Sequence, residues 1–266
     1  MKKLFFLITV FLSVLSCEES LQPLRENKLV VEGWIESDGY PVVLLTLTAS
    51  PEVAEDINLA DYVAKFAKIT LSDGDTTVVL TGSVDRKYYP PMVFKTYDIK
   101  GVAGKTYYLT AQYNGLEVSA ETKILEPYEI KDVKTVAVDD TARIFDVEIQ
   151  DGVSPGGKIM FFSRVWNTET RLFPSLFGIY EVEENKKTYT VYHSKESPNF
   201  SAGDSVSIHL CRLDDFQFRF WQAYSNAVNF GGGFVISTDK SLPSNIEGGY
   251  GYFFGYGASK VGIVAE

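Results

Sequence analysis

Two histidines, His193 and His209, a lone cysteine in the body of the chain, Cys211, and 35 acidic residues are the side chains with which this sequence could do chemistry. A nucleophilic triad needs a nucleophile, a base and an orienting acid within hydrogen-bond reach. The two histidines fall in separate alternating segments, and neither has a serine set in a glycine-flanked elbow nearby. They also lack the close spacing of paired metal ligands, and a single thiol excludes a cysteine cluster. Asp73-Gly74-Asp75 could open a calcium loop, but such a loop needs roughly six or more oxygens over a longer stretch. No acid follows at suitable spacing, so this tripeptide reads as a turn. Carboxylate pairs for glycoside hydrolysis could be drawn from the acids in many ways, and the sequence singles out none. The inventory points away from an enzyme, with no metal and no cofactor.

The most informative chemistry lies at the start. Met1 to Cys17 places two lysines before an apolar run from Leu4 to Leu15, then Ser16 and Cys17. This is the pattern of a secretory signal. A membrane span needs about 20 apolar residues, and this run stops well short of that. Val14-Leu15-Ser16-Cys17 resembles the lipobox of bacterial lipoproteins, in which the cysteine thiol is lipidated. The expectation is a signal peptide over 1–16, lipid attachment at Cys17, and a polar tether over 17–28 containing Pro23. A buried acyl chain contributes about 0.8 kcal/mol per methylene, so several chains anchor stably where one does not. Glu18-Glu19, beside the anchor, resemble the acidic signal for export to the outer face of the Bacteroidota outer membrane.

Losing Lys2 and Lys3 with the signal moves the formal charge from −10 to −12. So acidic a chain repels phosphate backbones, which excludes nucleic acid as a partner, and the same charge keeps the body off an anionic membrane surface. Contact with the membrane is then expected only through the anchor. With Cys17 acylated, Cys211 has no intramolecular partner, and its place after Ile208-His209-Leu210 suits a small buried hydrophobe.

The elements that must position any site are nearly all strands. Leu29–Ile35 and Val42–Thr48 alternate or are rich in β-branched residues. Lys68–Ser72 and Thr76–Thr81 flank Asp73-Gly74-Asp75, and Thr106–Tyr113 and Leu116–Lys123 flank Asn114-Gly115, a strong hairpin signal. Leu59, Tyr62, Val63 and Phe66, at i, i+3, i+4 and i+7, predict a short amphipathic helix. These elements predict an immunoglobulin- or fibronectin-like β-sandwich over 29–125. Glu126-Pro127 marks a boundary, because proline lacks a donor and fixes its own φ. Over 126–266 we expect a second β-rich sandwich or barrel-like domain, giving an all-β chain. Its strands include 133–138, 144–149, 158–167 and 206–212, with a hairpin of 177–182 and 188–193. One amphipathic helix, near 214–228, carries Phe216, Phe220, Tyr224 and Val228 at i+4 spacing behind an aspartate cap.

Ser244-Asn245-Ile246-Glu247-Gly248-Gly249-Tyr250-Gly251, followed by Tyr252-Phe253, joins Leu29–Ile35 and Gly104-Lys105-Thr106-Tyr107 in a recognisable set. On these residues the chain resembles a domain-of-unknown-function family of Bacteroidota outer-membrane lipoproteins with a closing SNIEGGYG-type motif. The resemblance implies a surface-exposed lipoprotein, non-catalytic, serving as a binding or accessory component beside a TonB-dependent outer-membrane receptor. The alternative is a fimbrillin-like structural or adhesion subunit, for which Arg25 is a possible processing site. No catalytic residue carries over. Candidate ligand contacts are Tyr88 and Tyr89 before Pro90-Pro91, Phe173 before Pro174, and Asn245 and Glu247 in the closing motif. The paired glycines there equally suit a bulged last strand.

Overall fold

The computed structural model describes residues 27–48, 59–166, 174–193, 198–230 and 242–266. Within them the chain is almost entirely β. Its first seven strands are β1 (Leu29–Glu36), β2 (Val42–Leu47), β3 (Lys68–Ser72), β4 (Thr77–Val84), β5 (Met92–Lys95), β6 (Thr106–Tyr113) and β7 (Leu116–Lys123). They pair in the order β1-β2-β5-β4-β3-β6-β7. The sheet folds over at β4 and β5, so β1-β2-β5 faces β3-β6-β7 across Val31, Ile35, Leu45, Leu71, Phe94, Tyr107 and Leu109. Period-2 alternation builds this: β1 is buried at every second residue, one face in the core and the other outward. It is the immunoglobulin/fibronectin-like sandwich expected from the turn spacing.

The second half repeats the plan with β8 (Ile130–Ala137), β9 (Ala142–Ile149), β10 (Lys158–Val165), β11 (Pro174–Glu181), β12 (Thr188–Val191), β13 (Phe200–Ser201) and β14 (Ser205–Leu213). β8, β12 and β13 surround β9, and this layer faces β11-β10-β14. Phe145, Val147, Phe161, Tyr189, Ile208 and Leu210 fill the space between. After β14 comes the helix α1 (Asp215–Phe230), then β15 (Ile246–Glu247) and the closing strand β16 (Tyr250–Val264). Asp214 caps α1: its carboxylate accepts the Gln217 amide at 2.8 Å while the Gln217 side-chain oxygen accepts the Asp214 amide at 3.1 Å, a reciprocal capping box. Among the described residues, no helix is long and apolar enough to cross a membrane.

β16 joins the halves. Its first part, Tyr250 to Tyr256, pairs parallel with β1, and its second, Gly257 to Val264, pairs antiparallel with β14. The first core consequently takes in Ile246 and Phe253 from the far end of the chain. α1 lies on the outer face of the joined sheet, over Met160, Cys211, Phe254 and Tyr256, and forms a third, largely aromatic core with Phe218, Phe220 and Trp221. Phe218 lies off the i+4 row read from sequence, yet it is as buried as Phe220.

Two local expectations are corrected. Residues 59–66 do not form an amphipathic helix: only Leu59–Tyr62 turns, as a 3-10 helix, and Phe66 is 92% exposed. The chain breaks out because Val63 bridges to Thr46 on β2, a sheet contact that outbids a helix too short to hold itself. β11 and β12 are not a hairpin either; β11 pairs with β10 and β12 with β9. The intervening segment crosses from one layer to the other through buried Val182, so Tyr180 of β11 and Tyr189 and Val191 of β12 pack on the same core from facing layers.

Gly251 shows how tightly β16 is seated. Its φ is +103°, and a Cβ there would stand 1.9 Å from the Val31 carbonyl oxygen. Gly251→Ala is expected to destabilise the protein by about 3 kcal/mol or more, because a backbone atom cannot move aside as a side chain can. Urea denaturation of the purified variant checks this; an unchanged midpoint would contradict the pairing of β16 with β1.

Candidate functional site at the seam of the two sandwiches

A strand that changes partners midway leaves backbone groups unpaired on each edge, and buried ones must be satisfied. Side chains do this at the seam. Asn245 donates to the Phe253 carbonyl at 2.8 Å and accepts the Phe253 amide at 3.0 Å, acting as a one-residue strand. Thr122 accepts the Gly255 amide at 2.7 Å, and Gln217 donates to the Gly255 carbonyl at 3.1 Å. On the opposite edge the Ser37 hydroxyl donates to the Ala258 carbonyl and accepts its amide, at 2.9 and 2.8 Å. The closing motif thus places Asn245 in a backbone-completing position, while Glu247, exposed, accepts a hydrogen bond from Ser119 at 3.2 Å.

The outer face of the seam gathers the titratable residues. Glu36 from β1, His209 from β14 and Lys260 from β16 meet there: the Glu36 carboxylate lies 3.2 Å from His209 Nδ1 and 2.6 Å from Lys260 Nζ. His209 Nε2 is 3.1 Å from the Ser207 hydroxyl. Burial alone would push the Glu36 carboxyl up, but the hydrogen bonds and charges of His209 and Lys260 outweigh it and bring it down to about 2. Four residues along the same face, Glu32 lies among apolar and aromatic neighbours beside Tyr224 and Tyr252. With no cation beside it among the described residues, burial raises the Glu32 carboxyl to about 7.

The order Ser207, His209, Glu36 has the connectivity of a hydrolytic triad, and the sequence did not disclose it because Glu36 is remote in the chain. The geometry does not support that chemistry. Ser207 is only 8% exposed in the middle of a regular strand. Its neighbours on both sides, Arg164 and Gly262, are ladder partners, so no pair of strand amides converges on an oxyanion position. The divergent pair Glu32 and Glu36 fails as a glycosidase pair. Four strand residues separate them by about 13 Å, beyond the roughly 5–9.5 Å those mechanisms use. The Cys211 thiol is fully buried and pushed well up, the state of an unreactive core residue. Among the described residues no three metal-ligating side chains cluster. What the Glu36 cluster does is tie β1 of the first sandwich to β14 and β16 of the second.

Below the seam, on the side where β1 turns away, lies a cleft of about 820 Å³ walled by Ser37–Asp38, residues 101–103, the segment 126–133 and Ala258–Ile263 of β16. Of the loop aromatics, Tyr88 is buried, 6.1 Å from Trp34 and beneath Lys95 at 4.5 Å. It covers the outer face of β2 and β5 with Val42, Leu44 and Val93. Tyr89 is 36% exposed on the same loop. Phe173 and Cys17 lie outside the described residues. The structure therefore brings together neither the tyrosines with Asn245 and Glu247 nor any of them with the cleft.

Fold and seam together define a tandem β-sandwich protein whose two units share one strand. The chain belongs to the family described as "Domain of unknown function (DUF4249)", which it matches over residues 16–261. No curated protein matches it. Among solved structures it is similar to a two-domain fibronectin type-III segment of chicken tenascin, at 12% identity, 72% of this chain, 94% of that chain and a TM-score of 0.22. It is also similar to the FN1–FN3 domains of chicken CNTN1, at 12% identity, 89% of this chain, 66% of that chain and a TM-score of 0.26.

The two carboxyls predict opposite pH behaviour. Glu32 prefers its neutral form in the folded state, so its burden is absent below the ordinary value of 4.5 and grows as pH rises to about 7. Glu32→Gln should therefore raise stability near pH 8 by roughly 1–3 kcal/mol and leave it unaltered near pH 4. Glu36 contributes stability above 4.5 that is lost as pH falls toward about 2. Glu36→Gln should cost roughly 1–3 kcal/mol at pH 7, with the difference fading in acid. Urea midpoints measured across this range decide both; parallel curves for wild type and variants would refute the assignment. Asn245→Ala should cost about 1–3 kcal/mol, since two backbone groups of Phe253 lose their partner, read as faster amide exchange at Phe253.

Proposed function

We propose that the protein is a lipid-anchored, surface-exposed accessory of the outer membrane that serves TonB-dependent nutrient uptake by binding rather than by catalysis. The observation that carries the binding half is the fate of the chemistry-bearing side chains. Glu36, His209, Lys260 and Ser207 bond to one another within the sheet, and this leaves loops, edges and the seam cleft as the surfaces through which the molecule can act. The anchoring half rests on Val14-Leu15-Ser16-Cys17 and the acidic residues after it. Residues 17–28 would then act as a short tether: fully extended, twelve residues reach about 40 Å, so the first sandwich would stand next to the membrane.

Intact cells expressing wild type or Cys17→Ala should be treated with a protease that cannot enter them, and the tagged chain recovered from detergent-solubilised outer membranes. Digestion of wild type on the surface, release of Cys17→Ala from the membrane fraction, and co-purification of a TonB-dependent receptor are the expected results. Full protection with no co-purifying receptor would overturn the reading, and an assembled, lipid-anchored polymer cut after Arg25 would favour the adhesion subunit instead.

A further inference from the structure

We propose that the edge of β16 from Ala258 to Val264 is a docking site for an extended, basic peptide segment of another protein, which joins the sheet by strand addition. The proposal concerns the purified molecule and stands whether or not the protein works at a membrane. Ladder parity decides which backbone groups reach that edge. The Tyr256 carbonyl accepts the Ser37 amide at 2.9 Å, so the even-numbered residues of β16 turn their backbone groups toward the side of β1. The odd-numbered ones, from Gly257 to Ile263, turn toward β14 and are consumed by its ladder. β1 ends at Glu36, the Ser37 hydroxyl serves Ala258, and the chain then leaves through Asp38 toward β2. Beyond that point the amides and carbonyls of Lys260, Gly262 and Val264 have no partner among the described residues. They form a row of donors and acceptors at a two-residue period, the template for an added strand.

Three further observations fit that occupant. First, the row borders the cleft of about 820 Å³, which falls within the 300–1,000 Å³ typical of binding clefts. Its far wall is β8, which pairs with β9 alone; at its start the Ile130 amide donates to the Ser259 hydroxyl at 3.1 Å, closing one end of the cleft, and beyond that the outer edge of β8 has no strand partner among the described residues. Second, nothing guards the edge. Proteins usually blunt an exposed strand with proline, a bulge or an edge lysine. Residues 258–264 hold neither proline nor bulge, and Lys260 is turned away into its 2.6 Å contact with Glu36. Around Gly262 there is open space: an added Cβ would meet nothing within 4 Å. Third, the charge is one-sided. Lys131 is held by Glu148 and Asp151, and Lys260 by Glu36, whereas Asp38, Glu126 and Glu129 in the same cleft have no paired cation among the described residues. A segment with lysine or arginine at alternate positions would complement them, the backbone supplying affinity and the acids supplying choice.

The test uses the purified chain and a fluorescent octapeptide of alternating lysine and valine, with two controls: its glutamate–valine counterpart, and the same lysine–valine peptide methylated on every backbone nitrogen. Anisotropy titration should show the lysine peptide binding at least about tenfold more tightly than either control, the loss expected when several charge contacts or strand hydrogen bonds are removed. Its binding should slow amide exchange at Lys260 and Gly262, which exchange fast in the free protein. Gly262→Pro should weaken binding at least about tenfold, because it deletes an amide that points to the edge and none that pairs with β14. Backbone methylation tests the same point on wild type, should that variant fold poorly. Methylated peptide binding as well as unmethylated, no binding of the lysine peptide at millimolar concentration, or slow exchange of both amides without peptide would each overturn the proposal. So would a stable dimer that Gly262→Pro dissociates, which would assign the edge to a second copy of this chain.

Discussion

The structure depends on one strand serving two sheets. β16 is 15 residues long, roughly 50 Å when extended, and it supplies the parallel neighbour of β1 and the antiparallel neighbour of β14. Neither sandwich is complete without it, and the two cannot rotate about a linker because the hydrogen-bond ladder runs through both. Its composition follows from that position. At Gly257, the crossover from one partner to the other, a Cβ would stand 2.1 Å from the Leu125 carbonyl oxygen, so the linker between sandwiches and the shared strand touch backbone to backbone. Pairing residue 30 with residue 250 also makes the fold strongly non-local, so the first sandwich acquires its last neighbour only when the end of the chain is in place.

A shared sheet exposes a broad outer face, and α1 is the response to it. Phe220 lies 4.9 Å from Tyr252 and 5.2 Å from Phe254, while the Trp221 indole donates to the Tyr256 hydroxyl at 3.0 Å. Tilted and edge-on contacts of this kind add roughly 0.5–1.5 kcal/mol per pair beyond the area they bury. The same aromatic layer creates the contrast between Glu32 and Glu36. Both project from one face of β1, but Glu32 lies beside the rings, where no cation among the described residues offsets its charge, and Glu36 lies past them, where His209 and Lys260 do. Two like residues on one strand thus acquire carboxyls pushed in opposite directions by their neighbours alone.

What the sequence disclosed is what local chemistry decides. Asn114-Gly115 turns where its composition says it must, with φ of 48° and 81°, and the aspartate cap of α1 sits one residue before the helix. Period-2 burial of β1 and the apolar stripe of α1 are likewise short-range patterns. What it hid is who pairs with whom. Phe177–Val182 and Thr188–His193 read as a hairpin because two alternating runs joined by a short loop look the same whether the second returns in the same sheet or crosses to the facing one. Leu59 to Phe66 matched helical spacing, yet the Val63 bridge to Thr46 decided the outcome. The Glu36 cluster was the least legible of all. His209 and Ser207 share a face by parity, but the acid they meet lies 173 positions from the histidine. Asn245 was legible as a turn or cap residue, and its actual duty, standing in for a missing strand, follows only from where β7 and β16 lie.

Sandwiches of this kind have no interior vacancy in which to place chemistry, because facing sheets fill the space with side chains and use the backbone up in ladders. Unpaired groups arise where a ladder ends, and two such ends, those of β1 and β14 along β16, meet at the seam. The molecule closes them with notable consistency: Asn245 for Phe253, Thr122 and Gln217 for Gly255, Ser37 for Ala258. Each closure recruits a polar side chain from a different element, so the pattern cannot be an accident of one loop. Against that background the bare edge from Lys260 to Val264 stands apart, since a lysine able to guard it is instead committed to Glu36. An open strand edge invites unwanted pairing, and its retention beside so many closed ones is what a surface reserved for a partner's backbone would look like.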